Sequence, residues 1–465
     1  MGLKIVIIGA GSLVFSSRLT ADLLTYSALN EAHIALVDLD PDRLNYAGRI
    51  VERMLVEGKY CQATYSMTID RREALQGADY VISSILVGGY DAIAAEIDIP
   101  MKYGVDQAIG DTLTPGGIMR CLRTLPHQIG IARDILEICP DATLLNYTNP
   151  MAMLCWGMYK SLPEIKLVGL CHSVQGTTEE WAKRLGIDIR NINFECAGIN
   201  HQAWITRFQK DGQDLLPQIR NLAEDPKIWL GDSSRMEYVK HFGFPVTEAS
   251  GHNSEYSGWF RKTPELVQQY CPGGSWNGAS GFIKTLYNRP DWRETMEKMA
   301  RWEKPVDLKR SFEYGSQIIN AMEGGEPVIV HGNVRNAQLI ENLPEDCCVE
   351  VPCFVDKNGI QALKVGKLPL HLAAINRNQI NVQELAVEAT LQQDLEMVFQ
   401  AMCLDPLTAS ILTLDQIRAM TIELVEAHRP YIPQFEGKTL VSKPVLIGSF
   451  SQEVEVHHDP GEKRS

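Results

Sequence analysis

Apolar and polar positions alternate in blocks along the first part of the chain. Residues 3–8 (LKIVII) form a continuous apolar run, the pattern of a strand buried on both faces. Residues 12–29 then read as a helix, 34–37 as a second strand closed by Asp38, and 41–57 as a second helix. Asp40 suits the N-cap of that helix, and Pro41 suits its first turn, where a missing N–H has no partner to lose. Further strands are expected at 80–85, 142–145 and 166–170, and further helices at 116–138 and 151–160. Strands alternating with helices in this way predict a doubly wound parallel sheet.

Beyond about residue 190 the pattern loosens. Residues 194–208 read as strand material interrupted by Asn200 and His201, and 247–280 are rich in Gly, Ser and Trp. Mixed, partly helical segments follow to residue 431. The expected fold class is α/β, with a Rossmann-type sheet over residues 1–190. An α+β domain over 191–450 would carry substrate, metal and oligomer contacts, and 451–465 would be a polar tail. The His457–His458 pair in that tail reads as solvated rather than as a metal site.

Composition narrows the function. The chain has 465 residues, 45% of them hydrophobic, enough for a large core. A net charge of −14 argues against a nucleic-acid partner. No stretch reaches the roughly 18 apolar residues of a membrane span. The eleven cysteines form no CxxC pair, and no signal peptide is evident. Reduced thiols in a cytoplasmic compartment are therefore expected.

Four motifs can carry chemistry. Gly9-Ala10-Gly11-Ser12 follows the first strand and opens a helix, so its backbone could approach a pyrophosphate, although Val14 stands where a third glycine is usual. Asp38 could hold an adenosine ribose diol, which favours NAD over NADP. A plain glycine turn is the alternative. Asn149, in LNYTNP, sits after a strand end, where open parallel sheets bind ligands. Taken alone, the motif reads better as a cap for the next helix. Cys171-His172 and Asn200-His201 bring borderline-soft ligand types, though thirty residues apart they do not make a site from spacing alone, where a core thiol and a core imidazole are the default reading.

The motifs occur in a recognisable order. GAGS is followed by VGGYD (87–91), DTLTPGGIMRCLRT (111–124), LLNYTNPMAM (144–153), VGLCHSVQGT (168–177) and AGINHQAW (197–204). VTEASGHNSEYSGWF (246–260), GEPVIVHGNVRN (325–336) and NLPEDCCVEVPCFVDKNGI (342–360) complete the series. Together they resemble glycoside hydrolase family 4, and within it the melibiase-type α-galactosidases, over residues 3–435. This family is an exception to two-carboxylate hydrolysis.

The resemblance implies NAD and a divalent transition metal, usually Mn2+, as cofactors. It implies an elimination in which C3 of the sugar is oxidised, C2 deprotonated and the C1–O bond broken, the hydride returning at the end. Gly9, Gly11, Ser12 and Asp38 are the implied NAD contacts, Cys171 and His201 the metal ligands, and Asn149 and Asp111 the substrate contacts. His172 stands where phospho-sugar relatives have an acidic general acid. Tyr256 is the implied base, with Glu248 as the alternative. The substrate implied is an α-galactoside, with α-glucoside or α-galacturonide behind it, and the assembly a homodimer or homotetramer. Between His252 and Phe260 there is no arginine to meet a sugar phosphate. Two rivals from other classes are an ordinary NAD-dependent 2-hydroxy acid dehydrogenase and an NAD-sensing regulator. Neither has use for a Cys–His metal pair.

Overall fold

The computed structural model describes residues 2–12, 15–273 and 275–442. The expected polar tail, with His457 and His458, and position 14 lie outside them. One sheet of twelve strands organises these residues. Its first half comprises β1 (Lys4–Ile8), β2 (His33–Val37), β3 (Thr64–Thr68), β4 (Tyr80–Ser83), β5 (Thr143–Asn146) and β6 (Leu167–Gly169). They pair in parallel in the order β3-β2-β1-β4-β5-β6, the doubly wound arrangement. Residues 5–8 are buried, as their apolar run requires.

The second half runs antiparallel: β7 (Asn193–Ile199), β8 (Gln202–Lys210), β9 (Gln213–Asp214), β10 (Val328–Arg335), β11 (Cys348–Asp356) and β12 (Gly359–Ala362). These strands extend the parallel half in the order β10-β11-β7-β8-β9, with β12 on β11. A single row, Gly169–Asn333–Glu350–Gly198, ties β6 through β10 and β11 to β7. Cys171 lies two residues beyond one end of that row and His201 three beyond the other.

Several expected elements occur with shifted ends. The first helix is Phe15–Leu24 rather than 12–29, because residues 25–32 close a series of turns. The strand expected at 80–85 stops at Ser83, where Ser84 N–H donates back to Ile8. The helix Pro41–Glu57 has the expected cap: Asp40 accepts from Asp42 and Arg43 N–H at 3.0 and 3.1 Å. The strand expected at 194–208 is a hairpin, β7–β8, with Asn200 and His201 at its tip. Among the described residues no helix is long and apolar enough to cross a membrane.

Candidate active site

The carboxyl ends of the parallel strands converge on one region. Gly9 takes φ +90°, and a Cβ there would lie 2.5 Å from Ser84 O, so only glycine fits the turn. At Gly11 a Cβ would lie 2.7 Å from the Asp38 carboxylate. Gly11 N–H donates to Asp38 Oδ2 at 2.8 Å, and Asp40 N–H donates to Asp38 Oδ1 at 2.9 Å. Asp38 thus fixes the glycine turn while each oxygen keeps a second lone pair. Ser12 N–H donates to Gly9 O at 3.3 Å.

Cys171 and His201 meet at 3.0 Å, Sγ to Nε2. Glu248 Oε2 lies 3.7 Å from the same nitrogen, and the three donor atoms are within 4.8 Å of one another. A hydrogen-bond chain fixes the other side of the ring. His201 Nδ1 lies 3.0 Å from Thr112 Oγ1, which donates to Asp111 Oδ1 at 2.8 Å. With its hydroxyl proton committed, Thr112 accepts from Nδ1–H, so Nε2 faces Cys171 and Glu248; burial opposes a charge on the ring, but these two prevail and push it up to about 10. That is the orientation of a metal-binding histidine, whose Nε2 proton an incoming cation would displace.

Burial opposes a thiolate at Cys171, but His201 and His172 outweigh it and hold the thiol well below its usual range. The helix Ser173–Arg184 begins directly after the pair, and its N-terminal dipole favours the same charge. Beneath them Glu350 accepts from Asn333 at 3.3 Å. Burial, then the charge of Cys171, pushes it up to about 8.

Asp111 is presented by a rigid loop. Glu255 accepts from the N–H groups of Ala108, Ile109 and Gly110 at 2.7, 3.0 and 2.9 Å. Arg261, fully buried, ion-pairs with Asp106 and donates to Gly278 O at 2.5 Å. Burial alone would raise Asp111, yet His252, Arg120 and His201 hold it down to about 2. Asn149 Nδ2 donates to Asp111 Oδ2 at 3.1 Å, while its Oδ1 is buried without a partner.

Tyr256 is 1% exposed, and burial pushes its phenol well above the usual range. Its OH lies 2.9 Å from His252 Nδ1 and 3.4 Å from His201 Nδ1. His252, not Tyr256, lines the cavity. His172 also lines it, with Nε2 2.7 Å from Glu313. Burial works against a charge on His172, but Cys171 and Glu313 prevail and push it up to about 10.

Seven residues singled out in the sequence therefore gather in one place: Asp111, Asn149, Cys171, His172, His201, Glu248 and Tyr256. Six of them, Tyr256 excepted, line one cavity of about 800 Å³. His252 and Glu313 were not foreseen. His252 stands four residues before Tyr256, a spacing that puts both on one face of a helical turn and could have signalled the pair. Glu313 has no such signal. Asp91 is exposed in the first turn of the helix Gly89–Lys102, and Cys347 and Cys348 are buried.

Residues 4–187 match the family described as Family 4 glycosyl hydrolase, and 196–408 match its C-terminal domain. The chain belongs to glycosyl hydrolase family 4. An α-galactosidase of Bacillus subtilis (strain 168) is 41% identical over 438 residues, covering 93% of this chain and 100% of that protein. An α-galactosidase of Rhizobium meliloti (strain 1021) is 36% identical, covering 93% and 89%. In fold the family member is similar to a 6-phospho-α-glucosidase from gut microorganisms whose crystal structure holds NAD and Mn2+. That likeness has a TM-score of 0.77, with 18% identity, 93% of this chain and 99% of that one covered. Family membership makes this protein a glycosidase and removes the dehydrogenase and regulator readings.

Proposed function

We propose that this glycosidase hydrolyses α-galactosides by an NAD- and divalent-metal-dependent elimination. The observation that carries the metal half is the donor set of Cys171, His201 and Glu248, with the His201 ring held in the ligand orientation by Thr112. Thiolate, imidazole and carboxylate together suit Mn2+ or another divalent transition metal. These three residues would hold the ion, and Gly9, Gly11, Ser12 and Asp38 would hold the dinucleotide. When bound, NAD+ supplies a hydride acceptor for C3 and the metal a Lewis acid for O2 and O3.

The protein's own residues then divide the work. Asp111, kept ionised, accepts hydrogen bonds from sugar hydroxyls, and Asn149 offers its unpartnered Oδ1 beside it. The Tyr256–His252 pair takes the C2 proton, His252 forming the cavity wall and Tyr256 standing behind it. Glu248 serves the metal rather than the base, because it faces His201 Nε2. His172, ion-paired with Glu313, gives a proton to the departing oxygen.

Substrate charge follows from the lining. Among the described residues of the cavity wall, Arg235 is the sole arginine or lysine, against Asp111, Glu180, Asp232 and Glu248. Arg235 is already spent on Asp232 and Glu180. Arg261 is buried against Asp106 and cannot meet a phosphate. A neutral sugar fits such a wall better than a phosphorylated one or a uronic acid. The two α-galactosidases among the relatives support galactose as that sugar. Cytoplasmic location, a homodimer or homotetramer, and a domain division near residue 190 belong to the same reading.

The p-nitrophenyl α-glycosides of galactose, glucose, galacturonic acid and 6-phosphoglucose test it, each with NAD+ and Mn2+. The galactoside should be cleaved best. Preference for either anionic sugar would overturn the substrate assignment.

A further inference from the structure

Asp111 and the Tyr256–His252 pair come from different parts of the chain, residues 4–187 and 196–408 of the family match. Yet Asp111 Oδ1 stands 4.0 Å from His252 Nδ1. The pair is anchored from one side, because the Tyr256 carbonyl accepts from Gln379, buried in the helix Leu370–Gln392. What ties Asp111 to the pair is Glu255, which lies between His252 and Tyr256 in the sequence.

Glu255 is fully buried at the end of the helix Ser250–Glu255. Its Oε2 accepts from Ala108 and Ile109 N–H at 2.7 and 3.0 Å, and its Oε1 from Gly110 N–H at 2.9 Å. Three successive N–H groups aimed at one point make an anion-binding concavity, and Gly110, at φ +57°, completes it. Carbonyls of the same stretch are committed as well. Gln107 O accepts from Gly281 N–H at 2.7 Å, and Ala108 O from Ile283 N–H at 3.1 Å. Burial pushes the Glu255 carboxyl up to about 7, against the pull of these bonds and of Arg261. The reaction assigned above uses neither of its oxygens.

We infer that Glu255 is a positioning residue for the glycosidase reaction: it pins residues 108–110 and thereby sets Asp111 against the Tyr256–His252 pair. A sugar held by Asp111 then presents its C2 proton to that pair in one register. Glu255 touches no substrate and acts only through the loop. Arg261 ties the same loop farther back, donating to Asp106 O at 2.9 Å, but the Gly110 contact is the one next to Asp111. The inference rests on the α-galactosidase reading above and adds to it the group that fixes its geometry. A glutamine at 255 keeps the length and shape but turns one acceptor oxygen into a donor. At least one of the three N–H groups then loses its acceptor, and a shift of about 1 Å at a reacting centre costs ~100-fold.

The first measurement is hydrogen–deuterium exchange at residues 108–110 in wild type and Glu255→Gln. Exchange there should quicken by about tenfold or more in the variant. Equal protection would overturn the pin, whichever sugar is cleaved. The second is a double-mutant cycle with Asp111→Asn, which keeps one oxygen to accept from a sugar hydroxyl. It is read as kcat/KM on p-nitrophenyl α-galactoside with NAD+ and Mn2+ present. Glu255→Gln alone should lose about 10- to 100-fold. In the Asp111→Asn background the same change should cost less than about threefold, because its effect runs through Asp111. Glu255→Asp, charged but one methylene short, gives the same reading should the glutamine variant not fold. Losses that multiply, as a merely structural residue would give, or no loss at all, would overturn the positioning role and leave the α-galactosidase reading standing. A wild type inert toward the galactoside would overturn that reading itself, and the role with it.

Discussion

Cys171 Sγ lies 3.0 Å from His201 Nε2, although thirty residues separate them. One belongs to the end of the parallel sheet and the other to the tip of an antiparallel hairpin. The row Gly169–Asn333–Glu350–Gly198 is what brings the two together. Glu248 and the Thr112–Asp111 chain then turn a close contact into an oriented donor set.

The donor set makes a graded prediction about metal affinity. Cys171→Ser should abolish tight Mn2+ binding, since a hydroxyl is a far poorer ligand than a thiolate. Thr112→Val should weaken it by about 10- to 100-fold, the usual effect of removing the group that orients a ligand histidine. Isothermal titration with Mn2+ measures both. Wild-type affinity in the serine variant would reduce Cys171 to a packing residue.

Tyr256→Phe should separate the two halves of the reaction. The ring packing survives, but the hydroxyl 2.9 Å from His252 is gone. The variant should bind NAD and Mn2+ normally, stall before C2 deprotonation, and lose at least ~100-fold in turnover, the usual scale of general-base loss. Wild type in D2O should place deuterium at C2 of the released sugar. Near-normal turnover by a folded Tyr256→Phe enzyme would hand the base to another group.

His331 predicts how stability depends on pH. It is buried, accepts from Cys196 N–H at 3.3 Å and stacks on Phe194, and burial pushes it down to about 3. A histidine depressed in the fold contributes fully above its unfolded value near 6.5, and that contribution is lost as pH falls toward 3. Between pH 7.5 and 5 the loss should be about 2 kcal/mol. Denaturant unfolding of wild type and His331→Gln at the two pH values reads it. The same slope in both proteins would remove His331 as the cause.

The parallel half of the fold was legible because its strands are short, wholly apolar runs and its helices carry Asp40–Pro41 and Pro115 at their starts. β3 was missed because it is an edge strand of polar, largely exposed residues. The helix Gly89–Lys102 was missed because it opens on two glycines and holds Pro100 near its end. At the site, Cys171, His201, Asn149 and Asp111 stood in motifs. Glu313 is a lone carboxylate 141 residues after His172, and only the folded chain puts it 2.7 Å away. The antiparallel strands gave no hint that they would continue the parallel sheet, since single-pair contacts such as Asn333–Gly169 leave no periodic trace.

The central claim is that hydrolysis needs both a dinucleotide and a metal, and consumes neither. The direct measurement is cleavage of p-nitrophenyl α-galactoside after removal of bound NAD and dialysis against a chelator. Nitrophenol release and absorbance at the NADH band are followed together as NAD+ and Mn2+ are returned singly and in combination. Activity should return only with both, with many turnovers and no net NADH. Full activity without either one, or NADH rising in step with nitrophenol, would contradict the account.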